Sequence, residues 1–269
     1  MESMTFSDFN IVYNGLSLTI AAMSAATLFF WLAKDTVAPN YRLALVISGI
    51  VTFIAAYHYW RIFGSWSDAF VIDANSNTVK ASSIPFNDAY RYVDWILTVP
   101  LLLIELIVVM GLSRSATISK SIRLGLLAAL MVGLGYPGEI AGDIESRLLW
   151  GGLSMIPFLM IIFELVFGLR ASISNQPESA RGLVKVAIFV TIASWTFYPV
   201  VFFAPLLLGA ENTSFATMSG QAVTIVQLGY TLADIIAKAG FGILIYLIAA
   251  AKSEDWRAKR DTGYASQID

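Results

Sequence analysis

The stretch Gly229-Tyr230-Thr231-Leu232-Ala233-Asp234-Ile235-Ile236-Ala237-Lys238-Ala239-Gly240 sets one lysine and one aspartate inside an otherwise apolar run. A four-residue spacing stacks the two charges on one helix face, one turn apart. The next basic residue toward the C-terminus, Lys252, is 14 residues on. That is roughly 21 Å of helix, beyond the reach of a lysine stem toward a membrane surface. An unpaired ammonium at such depth costs on the order of 3 kcal/mol or more and sheds its proton first. Two chemistries remain: an ion pair with Asp234, or a lysine that carries a covalent Schiff base.

A second set lies in Arg91-Tyr92-Val93-Asp94-Trp95-Ile96-Leu97-Thr98-Val99-Pro100-Leu101-Leu102-Leu103-Ile104-Glu105. Arg91, Asp94, Thr98, Leu102 and Glu105 follow steps of three and four and share one helical face. Asp94 and Glu105 are 11 residues apart, roughly 16 Å along the axis and about half the hydrocarbon thickness. Two carboxylates displaced vertically on an inner face suit a stepwise proton relay, one accepting a proton near the amine and one supplying the next. A neutral, packed Glu105 is the simpler alternative. His58 is the only histidine, and there is no cysteine. A metal site is therefore not expected, and neither a disulfide nor a thiol nucleophile is available.

These residues need a membrane fold to position them. Of the 269 residues 57% are hydrophobic and 13% charged, against about 25% charged in an ordinary soluble domain. Seven charge-poor segments are long enough to cross ~30 Å of hydrocarbon: about 11–33, 41–63, 88–111, 121–138, 148–169, 182–208 and 220–251. The expectation is a single all-α, seven-transmembrane-helix domain over residues 1–269. The first span follows a short acidic stretch with no basic n-region, so it is expected to be retained. The longest connection, 64–87, carries the β-prone Phe70-Val71-Ile72 and Thr78-Val79 and is expected to form a short hairpin. Lys34, Arg42, Arg114, Lys120, Arg123, Arg170, Arg181, Lys185, Lys252, Arg257, Lys259 and Arg260 fall on one side, and only Arg61, Lys80 and Arg147 on the other. By the positive-inside rule the N-terminus faces out and the C-terminus faces the cytoplasm. No basic cluster points to nucleic acid.

The Asp-Lys seventh span, the Arg91–Pro100 stretch and Trp195-Thr196-Phe197-Tyr198-Pro199 of the sixth together resemble the microbial rhodopsins over the whole chain. The wording of Ala56-Tyr57-His58-Tyr59, Phe86-Asn87-Asp88-Ala89-Tyr90-Arg91, Gly135-Tyr136-Pro137-Gly138-Glu139 and Leu149-Trp150-Gly151 is most similar to the xanthorhodopsins, a branch of the proteorhodopsin-type proton pumps. The resemblance implies all-trans retinal bound to Lys238 as a protonated Schiff base, with Asp94 and Asp234 as counterions. It also implies a hydrogen-bonded Asp94–His58 pair. The pocket it implies is lined by Trp95, Thr98 and Leu102 of the third span, Met131 and Gly135 of the fourth, and Ser154, Met155 and Phe158 of the fifth. Trp195, Tyr198, Pro199 and Phe202 of the sixth and Tyr230 of the seventh complete it.

The function so implied is a light-driven outward proton pump in a prokaryotic plasma membrane. The proton passes to Asp94, Arg91 reorients toward the exit, and Glu105 resupplies the nitrogen from the cytoplasmic half. Sodium pumps of the family carry Asn, Asp and Gln at positions 94, 98 and 105, whereas this chain has Asp94, Thr98 and Glu105. The alternative is a photosensory rhodopsin, which commonly lacks the cytoplasmic carboxylic donor; no transducer is therefore expected. An enzyme is not expected, since no nucleophile–base pair sits together. Self-association is expected from the family. Gly151 stands where many relatives place a tryptophan, implying a lateral opening toward lipid with room for a hydroxylated carotenoid antenna. Glu139, Asp143, Glu145 and Glu211 are external carboxylates with nothing in the sequence to rank them for proton release.

Overall fold

Hydrophobic length dictates the architecture, because a backbone crossing lipid must satisfy its own hydrogen bonds. A computed structural model describes residues 4–73, 78–209, 212–213, 215 and 218–265. Among the described residues, seven helical spans are long and apolar enough to cross a membrane. They comprise α1 (Phe6–Ala33), α2 (Arg42–Asp68), α3 (Ala89–Met110) and α4 (Arg114–Glu139). The fifth is α5 (Ile144–Phe163), which runs through a π-helical segment, Glu164–Gly168, into the short α6 (Arg170–Ser174). The sixth is α7 (Glu178–Leu207), and the seventh is α8 (Gly220–Asp234), a π-helical turn at Ile235–Gly240, and α9 (Phe241–Ala265).

The bundle is apolar outside and polar within. Leu32 and Phe189 are 78% and 70% exposed, whereas Asp94 and Lys238 are 0% and 1% exposed. That inversion is what lipid as solvent demands. One apolar cluster, including Leu103, Leu106, Ile107, Ile245 and Ile248, fills one half of the bundle. Another, built on Phe9, Tyr59, Ile62, Trp66 and Phe70, fills the end that carries the strands. Asp94, Asp234 and Lys238 lie between these two plugs.

Several element ends differ from the sequence expectation for local chemical reasons. Helix α4 starts at Arg114, ahead of 121, because the Ser113 side chain accepts the Ala116 N–H and caps it. Helix α1 starts at Phe6, capped by Thr5, whose hydroxyl accepts from the Asp8 N–H. Helix α3 ends at Gly111, which has φ 66°, a left-handed conformation that glycine adopts without penalty. In the 64–87 connection α2 continues to Asp68, and β2 (Phe70–Asp73) pairs antiparallel with β3 (Thr78–Ala81) in the register Phe70↔Ala81 and Asp73↔Thr78. Residues 74–77, between them, lie outside the described residues. A third strand that sequence reading missed, β1 (Met4–Thr5), adds to the other edge of β3 through Met4↔Val79. Two residues are too short for a period-2 signal, so no pattern announces it.

Candidate functional site

Helix periodicity puts Lys238 and Asp234 on one face, and the bundle sets Asp94 of α3 against them. The Lys238 Nζ lies 2.6 Å from Asp94 Oδ2 and 2.8 Å from Asp234 Oδ1. All three side chains are 0–1% exposed. With the buried Arg91 nearby, two cations balance two anions, the condition under which buried charge is tolerated.

The two carboxylates have unequal surroundings. Asp234 is crowded with donors: Tyr59 Oη at 2.8 Å, Tyr198 Oη at 2.5 Å, Trp95 Nε1 at 3.1 Å and the Lys238 ammonium. Asp94 accepts from Lys238 on Oδ2, while its Oδ1 is buried without a hydrogen-bond partner. A proton can therefore be placed on Asp94 without displacing a donor, which is not so at Asp234.

His58 is close but not bonded as expected. Its Nδ1 is 3.9 Å from Asp94 Oδ1, and instead meets the Ile54 carbonyl at 2.9 Å. The carbonyl four residues back in the same helix lies within easy reach and wins the contact. Thr98 also departs from expectation: its Oγ1 donates to the Asp94 carbonyl at 2.8 Å, so it turns along its own helix and does not line the pocket.

Glu105 is fully buried, 11 residues beyond Asp94 along α3, among Leu102, Leu103 and Leu106. Its Oε2 accepts from Ser48 Oγ at 2.8 Å, and its Oε1 has no partner. No described residue supplies it with a cation within ion-pair distance. An isolated carboxylate in such surroundings is expensive, so the form that fits is the neutral acid.

From Lys238 an apolar cavity runs between α3, α4, α5 and α7. Trp95 and Leu102, Met131 and Gly135, Ser154, Met155 and Phe158, Trp195, Tyr198, Pro199 and Phe202, and Tyr230 all line it, as does Gly151. Tyr92, Val99, Val132 and Phe203 line it as well and were not foreseen. The Ser154 hydroxyl is turned away, donating to the Met131 carbonyl at 2.8 Å. The walls are aromatic and the sole charged terminus is an amine. That donor set fits a long apolar aldehyde joined to Lys238 and offers nothing to a polar ligand.

Arg91 was foreseen at the site, but its partner Gln227 and the role of Arg147 were not read from the sequence. Arg91 donates to Tyr59 Oη and to Gln227 Oε1, each at 2.8 Å. Gln227, Thr231, Asp234 and Lys238 share one face by their spacing, a signal that was available. Arg147 was counted among the loop charges, yet it is 0% exposed. It donates to the carbonyls of Phe202, Gly138, Glu139 and Thr213. Glu139 accepts from the hydroxyls of Tyr230 at 2.9 Å and Tyr92 at 3.3 Å, and Arg147 Nη2 lies 3.4 Å away.

Gly151 also differs from expectation. It is buried, and a Cβ there would meet Phe202 and Phe203 ring carbons at 2.7 Å. The notch left by the missing side chain is filled by those two rings, and Phe203 stands where the opening toward lipid was expected. Nothing lies within 4 Å of a Cβ on Gly152.

A seven-helix membrane bundle with a buried lysine between two aspartates, at the end of an aromatic slot, defines a class of retinal-binding protein. The chain belongs to the Bacteriorhodopsin-like protein family, whose model matches residues 14–252. It is similar to a green-light absorbing proteorhodopsin of Gamma-proteobacterium EBAC31A08, 30% identical over 248 residues and covering 90% of this chain and 89% of that one. Bacteriorhodopsin of Halobacterium salinarum is 26% identical over 239 residues, 86% of this chain and 80% of that one. Among solved structures, xanthorhodopsin, described as a light-driven ion pump with dual chromophore, superposes with a TM-score of 0.87 at 41% identity over 95% of this chain and 98% of that one. The structure of a thermophilic rhodopsin gives 0.86 at 41% identity over the same shares. The chain is thus a multi-pass cell-membrane protein of proteorhodopsin/xanthorhodopsin type.

Proposed function

We propose that this protein is a light-driven outward proton pump with retinal on Lys238. The observation that carries the reading is the pairing of an open Asp94 oxygen beside Lys238 with a lone, buried Glu105 further along α3. Retinal, when bound, supplies a light-driven change in geometry and proton affinity at the lysine nitrogen. Asp94 takes the proton from that nitrogen on its unpartnered side. Asp234 keeps its four donors and stays the fixed anion. Glu105, held by Ser48, returns a proton to the nitrogen and is refilled from the end of the bundle opposite the strands. Arg91 is free to shift its weight between the aspartates and the strand-bearing end. The aromatic walls exclude water and leave few shapes for a bound polyene.

The count of basic side chains supports an orientation with the strands outside and α9 ending in the cytoplasm. No chemical substrate is turned over, no transducer is required, and self-association is the arrangement the family resemblance favours. The test is illumination of expressing cells. The medium should acidify, and an uncoupler should cancel the signal; a seconds-long photocycle with no acidification at any pH would point to a photosensory protein. Glu105→Gln should slow return of the proton to the lysine nitrogen by about 100-fold, the scale of losing a positioned acid. Its rate should then follow the pH of the medium, as flash spectroscopy will show.

The Gly151 side of the pocket supports a carotenoid antenna, provided the Phe203 ring turns aside to admit it. Mixing purified protein with hydroxylated carotenoids should add a carotenoid-shaped band to the excitation spectrum of retinal fluorescence. Gly151→Trp should abolish that band, since the indole and the phenylalanine rings compete for one space. No added band with any hydroxylated carotenoid leaves a pump with retinal alone.

A further inference from the structure

Four carboxylates expected outside were left unranked by sequence, and three of them fall within the described residues. Asp143 caps α5 by accepting the Ser146 N–H at 2.7 Å, which holds its carboxyl below the usual range and leaves it no proton to give. Glu145 is exposed, and Glu139 is committed to two tyrosine hydroxyls and the Arg147 guanidinium. Glu211 lies outside the described residues.

A fifth carboxylate, Asp88, just before α3, is joined to the buried charges by an unbroken chain of hydrogen bonds. Lys238 donates to Asp234, Tyr59 donates to Asp234, Arg91 donates to Tyr59 and to Gln227 Oε1, and Gln227 Nε2 donates to Asp88 Oδ1 at 3.2 Å. Arginine is donor-only, so Gln227 must turn its oxygen to Arg91 and its amino group to a carboxylate. Asp88 also lines an open cleft on that face, together with Glu139, Arg61, Asp68 and Tyr90. It is the one member of the chain that touches both the buried network and the cleft.

We infer that Asp88 discharges the exported proton to the outside, and that Arg91, acting through Gln227, sets the moment. This assignment rests on the pump reading. When Asp94 gains the proton from the lysine nitrogen, one of the two anions holding Arg91 inward is neutralised. The guanidinium is then drawn toward Asp88, whose O–H bond breaks and passes its proton to water in the cleft. The proton that Asp94 later gives up refills Asp88. Each cycle moves one proton and leaves both carboxyl groups as they began.

The groups that face Asp88 are Arg91 on α3, Gln227 on α8, Glu139 on α4 and Arg147 on α5, with Arg61 and Asp68 of α2 across the cleft. Desolvation, and then the charge of Glu139, push the Asp88 carboxyl up to about 7. It carries a proton in mildly acidic medium and has none in alkaline medium.

The experiment uses the full-length, retinal-loaded protein in lipid nanodiscs, with a pH-sensitive dye in the medium and infrared detection of protonated carboxyl groups. About one pH unit below that value, dye acidification in the native protein should rise together with protonation of Asp94; about two units above it, acidification should come only when Asp94 loses its proton. Asp88→Asn should cut the prompt signal to under a tenth at the lower pH, and Asp88→Glu should restore it. In the dark, a protonated-carboxyl band titrating near 7 should vanish in Asp88→Asn. Glu139→Gln should move the crossover to lower pH, because it removes a neighbouring negative charge. A native protein with no prompt signal, or an Asp88→Asn protein that keeps it, overturns the assignment while Asp94 protonation still upholds the pump. Absence of Asp94 protonation in the native protein sinks the pump reading and this assignment with it.

Discussion

Lys238→Ala is expected to purify without colour, its visible band reduced to background however much retinal is added. No other described lysine reaches the aromatic slot. The substitution also leaves Asp94 and Asp234 facing one another without the ammonium that lies 2.6 and 2.8 Å from them. Breaking a buried ion pair from one side costs about 3–5 kcal/mol, so this variant should also lose thermal stability. Lys238→Arg separates the two effects, since it keeps a cation between the aspartates while offering no amine for an imine. It should be equally colourless and closer to the native protein in stability. A normal visible band in either variant removes the covalent role of Lys238.

Asp94→Asn is expected to stop transport while sparing the chromophore. The amide cannot take up the proton from the lysine nitrogen, and loss of a positioned base costs about 100-fold or more. Asp234 remains as counterion with its donors in place, so retinal should still bind. Removing one of the two negative charges beside the nitrogen should shift absorption to the red. Proton flux from illuminated vesicles and a visible spectrum on the same sample test both halves. Native transport in this variant would leave the open Asp94 oxygen without a role, and an unshifted spectrum would place the counterion charge on Asp234 alone.

The seven spans and the lysine–aspartate face were legible because hydrophobic length and helical period act within one segment. The partners that cross between helices were not. Periodicity assigns Glu105 to a face, but the helix rotation that presents Ser48 to it depends on how α2 and α3 pack. His58 shows the limit clearly: it was placed beside Asp94 and lies 3.9 Å away, yet its ring is bonded to Ile54. The difference is about one ångström of helix position, which residue types do not encode. Arg147 reads as a loop charge until two helices and a loop deliver four carbonyls to it. At Gly151 a missing side chain is plain in the sequence, whereas the rings that fill its place belong to α7.

The π-helical turn at Ile235–Gly240 gives the seventh span a property of phase. It takes up one residue more than an α-helical turn of the same rise, so it works as a dial between two gears. Rewinding it as regular α-helix with every residue kept would swing each side chain beyond Gly240 by about 100°. Lys252 would then leave the carbonyls of Val109 and Met110, to which it donates at 2.9 Å, and Ile245 and Ile248 would turn out of the core. The aspartate and lysine would keep their spacing through such a change, and the half of the protein proposed to deliver protons to them would be mistimed in space.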